Sequence, residues 1–219
     1  MKLGDLSEAQ LVSHFRASFP AGERTLIGIG DDCAQIAAPE GSFIVTTDVM
    51  VEDQHFHLSW STGYEVGARV AAQNLADIDA MGGRPSGLVA SVVAPRDMDA
   101  DVFRDVVRGL GERAREVGVG VVGGDLSAGD KLVLSVTAFG YCPGPVVRRD
   151  GARPGDLVAV SGTLGYSYAG LDLLEGGHVD PSARGDEQLG DLAPFIETYR
   201  APTPPLGSGV AAAAAGARA

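Results

Sequence analysis

The stretch from Thr62 to Met81 constrains the fold more than any other part of the chain. Thr62 and Glu65 stand at capping-box spacing, and Gly82-Gly83 supply a stop. Between them Val66, Val70, Asn74, Asp77 and Met81 recur at intervals of four, four, three and four, which places them on one face of a helix. A face built from valine and methionine is a core face, so the amide and the carboxylate on it need polar partners. The flanking runs, FIVTTDVMV before and LVASVVAP after, are rich in β-branched residues and read as strands. A helix between such strands predicts an α/β (α+β) protein, a mixed sheet with helices on one face.

The rest of the first ~145 residues fits that plan. Ser7 and Gln10 form another capping box before Leu11, Val12, Phe15 and Phe19. Asp99 can cap a helix carrying Val102, Phe103, Val106, Val107 and Leu110, which Gly118 ends before the run VGVVGGD. KLVLSVTAFGYC follows as a long strand, and TLIGIGDDCAQI reads as strand ending in paired aspartates. The Pro/Gly-rich CPGPVVRRDGARPGD marks a boundary, giving an N-terminal domain at 1–145 and a second, incomplete α/β domain at 146–219. That second domain is expected to open with the strand DLVAV, a small-residue turn and a helix. It stops in VAAAAAGARA, a helix start with no terminator, so the expectation is a C-terminally truncated chain.

Charge and composition exclude whole classes of function. With 17 basic against 29 acidic side chains the net charge is −12, which opposes binding to nucleic-acid backbones and to anionic membranes. The opening MKLGDLSEAQ has no apolar signal-peptide core, and no run approaches the ~18 apolar residues of a membrane span. A cytoplasmic protein is expected. Cys33 and Cys142 are isolated, which argues against a disulfide framework. Only Lys2 and Lys131 are lysines against 15 arginines, and neither stands in a G-x-x-x-x-G-K-[ST] loop.

Carboxylates and threonines gather where elements end: Asp31-Asp32, Thr46-Thr47-Asp48, Glu52-Asp53, Asp77 and Asp79, and Asp125 after Gly123-Gly124. Each aspartate alone is equally a turn or capping residue. As a set, with Asp48 inside an apolar strand and Asp77 on an apolar helix face, they suit a hard divalent cation such as Mg²⁺. Without a suitably placed lysine, polyphosphate would fall to Mg²⁺ and arginine, with Arg148, Arg149 and Arg153 as candidates beside the reading of ordinary solvated arginines. The glycines of VGGD would let backbone approach a ligand, or simply form a turn. His55 and His57 would share a face on a strand, but no third histidine or cysteine pattern accompanies them, which favours a substrate contact over zinc. No nucleophile elbow or Cys-His pairing supports covalent catalysis.

Taken together, GIGDDCA (28–34), TTDVMVEDQHF (46–56), NLADIDAMGGRP (74–85), GGDLS (123–127) and GARPGDLVAVSGTLG (151–165) closely resemble the thiamine-monophosphate kinase family, in family order over nearly the whole chain. The wider aminoimidazole ribonucleotide synthetase-like superfamily shares several of these segments, and GIGDDCA with TTDxxVExxHF narrows the resemblance. It implies ATP-dependent phosphorylation of thiamine monophosphate to thiamine diphosphate with Mg²⁺ and a homodimer formed through the N-terminal domain. It carries metal ligation onto Asp32, Thr46, Thr47, Asp48, Asp77 and Asp125, substrate contact onto His55, and nucleotide contact onto Gly124, Asp125 and Arg149, with Asp31 assisting. No catalytic side chain beyond the metal-assisted set is implied, and direct transfer without a phosphoenzyme is expected.

In that family the chain continues into a D-x-S-D-G motif that this sequence does not reach. The expectation is therefore little or no kinase activity from the 219-residue form, checked by a coupled ADP-release assay. Three alternatives stay open: another ATP-using enzyme of the superfamily, a non-catalytic dimerisation fragment, and a metal-dependent hydrolase that releases phosphate without an acceptor.

Overall fold

The computed structural model describes residues 2–27, 35–38 and 41–219. GIGDDCA, with Asp31, Asp32 and Cys33, lies outside the described residues. Helix α1 (Glu8–Ser18) starts at the expected cap, where the Ser7 amide donates to Gln10 Oε1 at 2.8 Å. Strands β1 (Thr25–Ile27) and β2 (Gln35–Ile36) form a short antiparallel ribbon.

The main sheet comprises β3 (Ile44–Val51), β4 (Arg84–Ala94), β5 (Val121–Ala128) and β6 (Val133–Tyr141) in the order β3-β6-β4-β5. β6 is antiparallel to both β3 and β4, whereas β4 and β5 run parallel and are joined through α3 (Ala100–Glu116). The mixed sheet expected from sequence is thus present, with β3 and β5 as its two edges. Strand alternation turns Met50, Leu88, Leu134, Val136 and Ala138 inward, where they pack with Val66, Val70, Leu75 and Ile78 of α2 (Gly63–Ala80) and with Phe103, Val106 and Leu110 of α3. On the opposite face Val45 and Val49 remain 54% and 47% exposed, beside Phe43 and Phe139 with ring centroids 6.1 Å apart.

Helices α2 and α3 approach backbone to backbone. A Cβ on Gly67 would collide with the Val106 carbonyl, and one on Gly109 with the Tyr64 carbonyl. The expected capping box opens α2, with the Thr62 amide donating to Glu65 Oε2 at 2.7 Å. A Schellman turn closes it: Gly82 adopts φ +71°, and the Gly83 amide reaches the Ile78 carbonyl at 3.0 Å.

Beyond residue 145 the elements are helical: α4 (Tyr166–Glu175), α5 (Gly185–Leu189), α6 (Ala193–Arg200) and α7 (Ser208–Ala214). Leu174, Ala183, Leu189, Ala193, Ile196 and Tyr199 form a second apolar cluster, against which Trp60 packs. Two expectations fail here. DLVAV is not a strand; Leu157 and Val158 are 97% and 96% exposed, and among the described residues no strand lies alongside to supply hydrogen-bond partners. Nor does the alanine-rich segment lack a terminator: Gly216, at φ +95°, closes α7 with the Ala217 amide on the Ala212 carbonyl at 2.9 Å.

The close α2–α3 crossing predicts that Gly67→Ala costs at least about 2 kcal/mol of unfolding free energy, read from urea denaturation. An unchanged midpoint would contradict the packing.

Candidate functional site

The seam between α2 and the edge strand β3 gathers the candidate ligands. Asn74 is wholly buried. Its Nδ2 donates to the Val70 carbonyl at 2.9 Å, and its Oδ1 accepts from the Asp48 amide at 3.2 Å. That amide belongs to an edge strand, so the helix supplies the acceptor that a further strand would otherwise provide. One turn along α2, Asp77 Oδ2 accepts from Thr46 Oγ1 at 2.7 Å. Asp77 is exposed at the rim rather than turned into the core as its spacing with Val70 and Asn74 predicts; Asn74 alone takes the buried position.

Asp48 lies beside this pair and is half-buried. Burial pushes its carboxyl above the usual range, and the neighbouring Asp77 adds to the shift. Two carboxylates and a hydroxyl therefore meet with an excess of negative charge and hard oxygen donors, the chemistry that suits Mg²⁺.

Two further predicted ligands, Thr47 and Asp125, lie away from this seam. Thr47 faces the opposite side of the sheet, where its Oγ1 donates to the Val136 carbonyl at 3.0 Å and accepts from Thr137 Oγ1 at 3.0 Å. Asp125 sits on β5 opposite Ser91, three strand spacings or about 14 Å from β3, and accepts from Ser127 Oγ at 3.1 Å. At Gly124 a Cβ would collide with the Ala90 carbonyl, so that position needs glycine for packing alone. Among the described residues, no group of three or more His, Cys, Asp or Glu side chains converges as a metal cluster.

His55 and His57 occupy a turn after β3 rather than a strand. The turn hinges on Asp53, a non-glycine residue at φ +64°. Lys131 Nζ contacts Asp53 Oδ2 at 3.0 Å, and His57 Nδ1 lies 3.1 Å from Asp53 Oδ1. Those two hydrogen bonds, Lys131 foremost, hold the Asp53 carboxyl below its ordinary range. His55 is exposed, and its Nδ1 accepts from the Val51 amide at 3.0 Å. In the neutral ring this leaves the proton on Nε2, giving a donor that suits an anionic ligand. Lys131 is thus engaged with Asp53. Arg148 pairs with Asp150 at 2.8 Å, whereas the Arg149 and Arg153 side chains make no ion pair with the described residues.

Sequence reasoning missed Trp60, Arg184 and Arg200. Arg200 is 1% exposed, and nothing in YRAPTPP separates a buried arginine from a solvated one. Among the described residues no helix is long and apolar enough to cross a membrane.

Residues 30–142 match the family described as AIR synthase related protein, N-terminal domain. The thiamine-monophosphate kinase of Mycobacterium tuberculosis is 42% identical over 195 residues, 89% of this chain and 55% of that protein. The chain thus spans about half the length of that relative. Among solved structures, thiamine-monophosphate kinase from Stenotrophomonas maltophilia K279a superposes with a TM-score of 0.81 at 29% identity, covering 98% of this chain and 66% of that one. AaThiL complexed with AMPPCP and TMP gives 0.71 at 30% identity, covering 97% and 64%.

A carboxyl whose pKa is raised on folding contributes stability that is complete below the unfolded pKa and lost as pH rises through the folded value. At pH 7 in chelator, Asp48→Asn therefore raises the melting temperature, by about 2 °C. A lowered melting temperature would show that Asp48 is not repelled by its neighbours.

Proposed function

The chain belongs to the AIR synthase related protein family through its N-terminal domain, and on that footing we propose that it acts in the ATP-dependent phosphorylation of thiamine monophosphate to thiamine diphosphate. The observation that carries the reading is the β3–α2 seam, where Thr46, Asp48 and Asp77 present oxygen ligands whose negative charge no cation among the described residues pairs with. Its similarity to thiamine-monophosphate kinases, one of them complexed with AMPPCP and TMP, supports the choice of donor and acceptor.

In this reading Thr46, Asp48 and Asp77 hold Mg²⁺ at the seam, Thr47 and Asp125 would serve metal from the opposite face of the sheet, and Asp32 completes the ligand set. Bound Mg²⁺ would neutralise phosphate oxygens and lower the repulsion between two anionic substrates. The protein's own part is positioning. Asn74 fixes the strand that carries Thr46 and Asp48, while His55 offers its Nε2 proton to the acceptor phosphate. Gly124 and Asp125 contact the nucleotide, and Arg149, unpaired among the described residues, supplies the cation the lysines do not. Phosphoryl transfer asks mainly for in-line placement and charge stabilisation, so direct transfer follows, with inversion at phosphorus.

The domain division at 145/146 goes with this reading, and so do a cytoplasmic setting and a homodimer built on the N-terminal domain. The open sheet face with exposed Val45 and Val49 favours such a dimer. Thr47 and Asp125 both point toward that face, so in such a dimer they would meet the partner copy, on the side of the sheet opposite Thr46, Asp48 and Asp77.

Calorimetry with AMPPCP tests the reading. Binding is expected in Mg²⁺ and at least about tenfold weaker in EDTA or in Asp77→Ala. Equal binding in all three conditions would contradict a metal-dependent nucleotide site.

A further inference from the structure

Two arginines from the second half of the chain converge on the turn that carries His55. Arg200 donates to three backbone carbonyls: Nε to Trp60 at 2.7 Å, Nη1 to Ala183 at 2.8 Å and Nη2 to Pro181 at 2.8 Å. Arg184 reaches the same three, Trp60 through Nη2 at 3.2 Å, and Ala183 and Pro181 through Nη1 at 2.9 and 3.0 Å. Each carbonyl thus accepts from both guanidinium groups. The nearest carboxylate, Glu65, lies 3.8 Å from Arg184 and also closes the capping box of α2.

Packing two like charges around three carbonyls is an expensive way to stabilise a fold, since an apolar pair of similar volume would avoid the desolvation. What the arrangement supplies is geometry, because a planar guanidinium fixes the direction of each bond it makes. The carbonyl shared with the N-terminal half is that of Trp60, whose ring lies 4.1 Å from His57 and 6.4 Å from Tyr199. Arg69 of α2 sits over the other aromatic partner, 4.7 Å from the Tyr199 ring centroid. The 52–61 turn is therefore held at its start by Asp53 and Lys131 and at its end by Arg184 and Arg200.

We propose that Arg200, assisted by Arg184, is a positioning residue that fixes the His55–Trp60 turn against α6. The importance of that turn to catalysis rests on the reading of His55 above, but the positioning itself does not. Docking of the 181–200 segment and the geometry of the turn then form one unit, and loosening either loosens both.

Trp60, the sole tryptophan of the chain, reports on this directly. In Arg200→Met, acrylamide quenching of Trp60 is expected to rise roughly twofold and the ring resonances of His55 and His57 to move, with far-UV circular dichroism unchanged. Arg200→Lys should recover part of both signals, and Arg184→Met should shift them in the same direction. The control is Leu134→Ala, which loosens the main core without touching the Trp60 carbonyl or the cluster on which the Trp60 ring packs. The proposal is overturned if Arg200→Met leaves Trp60 and the histidines unmoved, or if Leu134→Ala moves them as far. Should Arg200→Met fail to fold, Arg184→Met against the same control decides. None of these readouts needs a ligand, so absent nucleotide binding would count against the kinase reading alone.

Discussion

The hydrogen bond between the buried Asn74 amide and the backbone of Asp48 is the constraint on which the rest of the site depends. An edge strand presents unpaired amides, and one left unsatisfied beneath a helix would cost about 1–3 kcal/mol. Asn74 answers that demand from inside α2, and its own Nδ2 is satisfied by the Val70 carbonyl. With helix and strand locked in this register, Thr46 and Asp48 on one element and Asp77 on the other must meet. The polar site follows from a packing requirement, since the helix that covers the sheet also determines which carboxylates face each other.

That arrangement leaves a charge problem that the described residues do not solve. Asp48 is pushed toward its neutral form by burial and by Asp77, while Lys131 is engaged by Asp53. A cation resolves the conflict with the least rearrangement, because the oxygens already lie at one seam. Asp125 and Thr47 then define the remaining difficulty. Both point to the other side of the sheet, so the predicted ligands divide between its two faces.

Much of this was legible in the sequence, for local reasons. The capping boxes at Ser7 and Thr62 and the stop at Gly82-Gly83 are read from neighbouring residues, and they fall where expected. The spacing on α2 identified Asn74 as inward-facing but treated Asp77 alike, although three residues along a helix is far enough to pass from core to rim. DLVAV had the composition of a strand, but strand formation requires a neighbour, and composition does not supply one. The Arg184–Arg200 junction was invisible because its acceptors are backbone carbonyls of residues 60, 181 and 183, whose side chains carry no trace of the contact.

The central claim, that the α2–β3 seam holds a divalent cation, is tested most directly by NMR with Mn²⁺ as a paramagnetic substitute for Mg²⁺. The account predicts selective broadening of the amide resonances of Thr46, Asp48 and Asp77, reversed by excess Mg²⁺ and abolished in Asp77→Ala. Broadening that spares these residues, or that Mg²⁺ does not displace, would contradict it.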